Sequence, residues 1–562
     1  MSLPEKAGIQ AESIELAKPT TLHLPNHTGD VDLLDSTGKV RRIPIPSADP
    51  NDPLNLSKWR KLGIIITTCF YAIFSLVLVG GAGSILPFWI ALYAPQGKSI
   101  QQVVNLTTYP SLVMALDRGA GAFVMLPCSI MFGRRPVLLG CCALIFASTI
   151  GAAKSTTYNS HMACRILQGI ATGATESVLP LIISDISFLD ERGLLFACYW
   201  GFQNFIGNIF TITVGFLVAE TSWRWFYWLL TILGAVGFAL IFFLVPETRY
   251  SRSPMAMEGQ VCYTDEFGHT MLLTDAEARE RFGATLEGQA NNEFGPRVSY
   301  VRSLNPVTSA VPNAFRVGGG ALVKMVSSLS SPGVIWAILA TSISLGVTIA
   351  MSLTYGEILT TDFGWSMASV GLINCGGFPA AIVAMALAGP LSDKLILYMA
   401  SRRGGVHRPE DILITLAFPS LVSAIGIIIY GVTAQNPAAH SAWGIIMGWT
   451  LFNIGFIVAL VTGTHFAAEA YPQNPGPALV MVVGSKNIVS FGKWDERKAS
   501  ELVKLMARTA ASFGIIPLVH RFNYLTAYMI LLGAFCGIFL LGIPVYFLNP
   551  KWRAMVGKKQ TE

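Results

Sequence analysis

The stretch Val334-Ile-Trp-Ala-Ile-Leu-Ala-Thr-Ser-Ile-Ser-Leu-Gly-Val-Thr-Ile-Ala-Met-Ser-Leu-Thr-Tyr355 carries no charged side chain. It exceeds the ~20 residues a helix needs to cross ~30 Å of hydrocarbon. Backbone amides have no water to bond in lipid, so such a segment must satisfy them internally as a helix. Outward from it, apolar blocks recur at 62–89, 105–132, 136–153, 161–183, 194–219 and 223–245. Beyond it they continue at 366–391, 411–433, 441–468, 477–519 (interrupted) and 523–548. The pattern predicts about twelve transmembrane helices in an all-α membrane protein. A polar segment, Glu247 to Ser331, divides them evenly. A duplicated architecture follows: two six-helix bundles with pseudo-two-fold symmetry. The expected organisation is a cytosolic tail (1–61), a first bundle (62–246), a cytosolic central loop (247–331), a second bundle (332–548) and a cytosolic end (549–562).

Composition agrees. The chain is 52% hydrophobic and 13% charged, against about 25% charged in an average soluble protein. The net charge of +6 is modest and gives no case for nucleic-acid binding. All nine cysteines except Cys262 fall in apolar blocks, and no CxxC occurs. Neither a disulfide framework nor a metal site is expected. No HExxH, GxSxG or phosphate-cradling glycine motif appears, so no enzyme and no cofactor are expected. The polar tail has no cleavable signal pattern and reads as a mobile cytosolic segment.

Lysine and arginine set the orientation. Lys58, Arg60, Lys61, Arg134, Arg135, Lys394, Arg402, Arg403, Arg408, Lys551 and Arg553 cluster on one side. The opposite loops hold only Lys98, Lys154, Arg224 and Arg521. Both termini and the central loop are therefore expected in the cytosol. Asn105-Leu-Thr107 is a glycosylation sequon at the outer start of the second helix.

Several motifs stand in a telling order: Phe132-Gly-Arg-Arg-Pro-Val-Leu-Leu, Arg165-Ile-Leu-Gln-Gly169, Trp223-Arg-Trp-Phe-Tyr-Trp and Pro246-Glu-Thr. The second half offers Gly389-Pro-Leu-Ser-Asp393-Lys394, and the tail Asp49-Pro-Asn-Asp-Pro-Leu-Asn-Leu-Ser-Lys-Trp59-Arg. Over about residues 49–550 the chain resembles the major facilitator superfamily. Within it the likeness is to the twelve-helix fungal drug:proton antiporters, in a branch that includes polyamine and drug carriers. The resemblance implies a monomeric, proton-coupled secondary transporter of the plasma membrane that exports drugs or secondary metabolites. Proton-driven uptake of organic cations such as polyamines, or a nutrient sensor without transport, are the alternatives. It also implies that the loop charges Arg134, Arg135 and Asp393 hold the two halves together when the cavity opens outward.

Three departures qualify it. Ile130 stands where the first loop motif normally has an aspartate. The stretch Gly207-Asn-Ile-Phe-Thr-Ile-Thr-Val-Gly215 lacks the antiporters' Gly-Pro pair, which leaves the direction of transport open. The strongly charged stretch 493–511 interrupts the eleventh helix. It reads either as a translated intron or as an insertion looped into the cytosol.

Ionisable residues at membrane depth are costly, and so are the first functional candidates. Glu176, deep in the fourth helix, leads as a proton or cation site. Arg165 shares its face but lies about 16 Å away, too far to pair. Asn204 and Asn208 share a face of the fifth helix and are expected to orient a polar substrate or bond between helices. Tyr199 and Trp200 suit either a flat ligand or the membrane interface. Glu357 lies near the outer end of the seventh helix, and Asp117 is a second candidate proton site. His465 and Glu469 are expected as a solvated pair near the cytosol. Lys486 is deeper, with Glu469 or Asp393 as expected partners.

Overall fold

A computed structural model gives the architecture. It describes residues 31–32, 49–81, 85–98, 102–103, 106, 121–250, 252–257, 260–264, 270–274, 298–305, 311, 313–366, 369–471, 474–491, 518–519 and 521–561. Asp117, Asn105 and the charged stretch 493–511 lie outside the described residues.

The first bundle comprises α1 (Lys58–Gly80), α2 (Gly121–Phe132), α3 (Arg134–Lys154), α4 (Tyr158–Ile186), α5 (Leu189–Glu220) and α6 (Trp223–Leu244). The second comprises α7 (Pro332–Glu357), the helical run α8 (Ser369–Arg402), α9 (Ala417–Gln435), α10 (Trp443–Ala470), α11 (Pro475–Phe491) and α12 (Tyr524–Leu540), which Gly542–Thr561 extends. Among the described residues, ten helices are long and apolar enough to cross a membrane. The other two of the expected twelve, α2 and α11, are described over shorter stretches. The chain is an all-α, multi-pass membrane protein.

The pairings repeat between the halves. In the first, α3 packs on α4 and α6, α2 on α4, and α1 on α4, α5 and α6. In the second, α9 packs on α10 and α12, α8 on α10, and α7 on α10, α11 and α12. Across the halves, α5 meets α8 and α10, just as α11 meets α2 and α4. Each pairing maps onto its counterpart by adding six to the helix number. This is the signature of a pseudo-two-fold bundle.

Small residues allow the closest crossings. A Cβ on Gly173 of α4 would strike the backbone of Gly121 on α2, and one on Gly426 of α9 would strike the backbone of α10 at Gly448. The outer faces of α6, α8, α9 and α12 present large apolar side chains such as Ile232, Phe243, Ile382, Phe418 and Phe547, all exposed. Such surfaces suit lipid, in which they lose no hydration.

The motif at the tail's end is folded. Asp52 accepts from Leu54 N, and Asp49 accepts from Asn51 N and from the hydroxyl of Tyr250 at 2.9 Å. This docks residues 49–55 on the chain just beyond α6. Further back, β1 (Val31–Asp32) pairs antiparallel with β5 (Val406–His407). In the central segment β2 (Arg252–Met257), β3 (Gln260–Thr264) and β4 (Thr270–Thr274) form an antiparallel meander. The helix Ala314–Ser328 follows and packs on α2 and α11.

Candidate functional site

Helix α4 is buried without a break over residues 171–183, and Glu176 sits on it about 15 Å from its C-terminal end at Ile186, on a rise of ~1.5 Å per residue. Its carboxylate has two partners on one turn of α11. Lys486 Nζ donates to Oε1 at 2.5 Å, and Asn487 Nδ2 donates to Oε2 at 2.7 Å. Glu176 is 2% exposed and Lys486 3%. Two opposite charges thus meet in a dry interior, 310 positions apart in sequence and on different halves of the molecule. The expected partners of Lys486, Glu469 and Asp393, are not the ones it takes.

Neighbouring side chains and a backbone carbonyl fix this pair. The Lys486 ammonium also donates to Val483 O at 3.2 Å and lies 5.1 Å from the centre of the Trp200 ring. Trp200 Nε1 donates to Thr464 Oγ1 on α10 at 3.2 Å, which turns the indole face toward Lys486. Tyr199 OH donates to Thr175 O, and the Thr175 hydroxyl shares a hydrogen with Ser75 of α1. Helices α1, α4, α5, α10 and α11 therefore converge here. Tyr199 and Trp200 are core residues, which overturns their reading as interface anchors. Their indole and phenol groups find partners inside, as buried aromatic polar groups must.

Arg165 serves a different place on α4. Its guanidinium donates to Leu78 O at 2.7 Å, Leu106 O at 2.9 Å and Gln168 Oε1 at 3.0 Å, and faces Trp89. One turn outward, His161 bridges the hydroxyls of Tyr93 and Tyr227 at 3.0 and 2.7 Å. Sequence reasoning missed His161. Its spacing of four from Arg165 was the available signal. Asn204 and Asn208 are half-buried, and their amides donate back to Trp200 O and Asn204 O. Asn208 also packs on Gly377 of α8, where a Cβ would collide with its amide. Glu357 is exposed at the end of α7 and apart from this cluster.

The loop charges form networks of their own. Gly133 holds φ +104°, a conformation suited to glycine, and starts α3. The Glu247 carboxylate then accepts from the backbone amides of Arg134 (2.9 Å) and Arg135 (3.3 Å). Arg134 pairs with Asp185 at 3.3 Å, and Arg135 donates to Phe242 O, Ser303 O and Leu304 O. These partners lie in the first half and the central segment. Asp393 does face the other half. A Cβ on Gly193 of α5 would run into its carboxylate and into His465. His465 and His407 each bond Glu469 at 2.9 Å, and all three are buried. The solvated reading of His465 and Glu469 is therefore overturned, because the packing of α5, α8 and α10 encloses them.

Known proteins can now be compared. Residues 64–491 match the sequence model of the Major Facilitator Superfamily. The chain belongs to that superfamily. It is similar to the MFS-type transporter atr4 of Stereocaulon alpinum, 26% identical over 446 residues, covering 78% of this chain and 72% of that one. The superfamily fold recurs in the human organic anion transporter MFSD10 (TETRAN), at TM-score 0.52, 14% identity and coverage of 87% of this chain and 100% of the other. It recurs also in the proton:xylose symporter XylE, at TM-score 0.54, 14% identity and coverage of 89% and 97%. The chain is accordingly a membrane-embedded facilitator-fold transporter of small molecules. Members of this superfamily are secondary transporters rather than enzymes. Among the described residues no group of three or more His, Cys, Asp or Glu is placed to hold a metal.

Proposed function

We propose that this facilitator-fold protein is a proton-coupled secondary transporter of small organic molecules, with Glu176 as the coupling group. One observation carries the reading: the Glu176–Lys486 pair at 2.5 Å joins the two halves in the bundle interior. A proton on Glu176 cancels its charge and weakens that tie. A buried carboxylate that alternates between a proton and an ammonium gives transport a means to sense protons. The resemblance adds the finer outline of a plasma-membrane carrier exporting drugs or secondary metabolites, with cation uptake as the alternative.

The substrate is found by comparing metabolites inside and outside deletion and overexpression strains. Flux is then measured in proteoliposomes with and without an imposed pH gradient. Glu176→Gln should abolish proton-driven accumulation while sparing downhill exchange, and Glu176→Asp should keep partial activity with a shifted pH profile. Accumulation at the wild-type level in Glu176→Gln would remove Glu176 from the mechanism. Arg134, Arg135 and Asp393 are proposed as gating groups. Arg134→Ala with Arg135→Ala should lower flux at equal surface expression, and unchanged flux would leave them only a topological role.

A further inference from the structure

We propose that the transported molecule carries an anionic group of carboxylate shape, and that this group takes the place of the Glu176 carboxylate on Lys486 and Asn487. The inference rests on the reading of Glu176 as the proton-binding group. Its substance lies in what remains when Glu176 is neutralised.

Lys486 keeps two partners that favour a cation regardless of Glu176. These are the Val483 carbonyl at 3.2 Å and the face of Trp200 at 5.1 Å. Its charge is held in place by the fold. Glu176, by contrast, has both oxygens committed to α11, and Lys486 is the charged group that faces it. A proton arriving at the pair therefore goes to a Glu176 oxygen, and Lys486 stays an ammonium. The site then holds a buried positive charge and, one residue on, the Asn487 amide donor facing a neutral carboxyl, a weaker acceptor than a carboxylate. Two donors from consecutive residues, spaced to receive the two oxygens of a carboxylate, form a fork. In the present state the Glu176 side chain occupies it as an internal ligand.

A buried cation without a partner is costly, so the site gains by admitting an anion. An organic cation fares worse. To reach Glu176 it must displace Lys486, which leaves two positive charges beside one carboxylate. The aromatic face of Trp200 and the neighbouring apolar helices suit an organic body attached to the anion. The balance is simple: one proton ends on Glu176, one anion binds Lys486, and the charge of the site stays that of the protonated, empty state less one. Proton and anion then move in the same direction. An acidic exterior drives uptake, and export requires the outward gradient of the anion to exceed the inward proton gradient. This differs from the antiport that the resemblance implies.

The test uses the full chain in detergent and three probes sharing one ring: benzoate, benzylamine and benzyl alcohol. Binding is measured by thermal shift and calorimetry between pH 5.5 and 8. Benzoate is expected to bind with uptake of up to one proton, its apparent affinity falling by up to about tenfold per pH unit above the pH at which Glu176 titrates in the free protein. Glu176→Gln should bind benzoate with no pH dependence. Adding Lys486→Met to that variant removes both charges and spares the fold an unpaired one; affinity should then fall at least tenfold, and Lys486→Arg should retain binding. Benzylamine binding in preference to benzoate overturns the inference. So does failure of Glu176→Gln to bind benzoate while its unfolding remains cooperative, or equal benzoate affinity in the doubly neutral variant. The two readings fail separately. Amine binding with lost proton-driven accumulation in Glu176→Gln sinks only the anion. Benzoate on the fork with normal accumulation in Glu176→Gln sinks only the coupling.

Discussion

The ends of the two halves where α2 meets α3 and α8 meets α9 solve one problem with opposite charges. In the first half the acid comes from the end of α6. Glu247 reaches the amides that open α3, and Arg249 donates to the carbonyls of Ile130 and Met131 that close α2. An anion at a helix start and a cation at a helix end both complement the helix dipole. In the second half the base comes from the end of α12. Arg553 donates to Glu410 at 2.7 and 3.1 Å, in the turn that leads into α9, and Asn549 adds a bond at 2.6 Å. Helices 6 and 12 are counterparts, as are 3 and 9. Duplication kept the helix pair that must be fastened and let the chemistry of the fastener diverge. The halves also differ in wetness: Glu410 and Arg553 are 1% and 2% exposed, whereas Glu247 is half-buried.

That contrast orders the expected effects. Arg553→Ala leaves the Glu410 carboxylate buried without its ion partner, a change that costs about 3–5 kcal/mol. It should give the largest loss of unfolding temperature or denaturant resistance in the purified protein. The double change Arg553→Met with Glu410→Gln should recover much of it, since it leaves no lone charge. A small loss in Arg553→Ala alone would mean that water reaches this pair, and the contrast between the halves would collapse.

The first half's fastening also depends on its backbone at one glycine. Gly133 holds φ +104° and ψ 157°, a region that residues with a Cβ avoid. Gly133→Ala should cost about 1–3 kcal/mol in the same measurement. It should also free the α3 amides from Glu247. A silent Gly133→Ala would show that the turn can relax without losing the cap.

Much of this was legible in sequence, and the gaps share a cause. The helical blocks and their division into two bundles followed from hydropathy, because lipid imposes that constraint locally. Glu176 stood out because an intramembrane carboxylate is rare. Lys486 was matched to Glu469 or Asp393 instead of Glu176, since pairing across 310 positions depends on which helices meet. Depth was the unused signal. Lys486 lies about 16 Å along α11 from its start, matching the ~15 Å of Glu176 from the end of α4, while Glu469 is one residue from the end of α10. The Pro246-Glu-Thr motif was visible, but its work as a cap for α3 was not. Trp200 looked like an interface residue because nothing local reveals that α10 and α11 cover it.

The smallest expected effect concerns His407, beside the second half's fastener. Burial disfavours its charged form. The hydrogen bond and charge of Glu469, with the nearby charges of Asp411 and Glu410, outweigh that and raise its pKa above the ordinary value. His465 bonds the other oxygen of Glu469, and Asp393 lines the same small pocket. The sign follows from linkage. A folded-state pKa above the unfolded value of ~6.5 gives stability that is fully present below ~6.5. It is lost as pH rises through the folded pKa. Wild-type protein should therefore lose unfolding temperature across that rise, by less than Arg553→Ala costs. His407→Gln can still donate to Glu469 but cannot titrate, so its profile should be flatter over the same range. If both proteins lose stability in parallel, the proton is held elsewhere, and this end of the second half is fastened by Arg553 and Glu410 without help from His407.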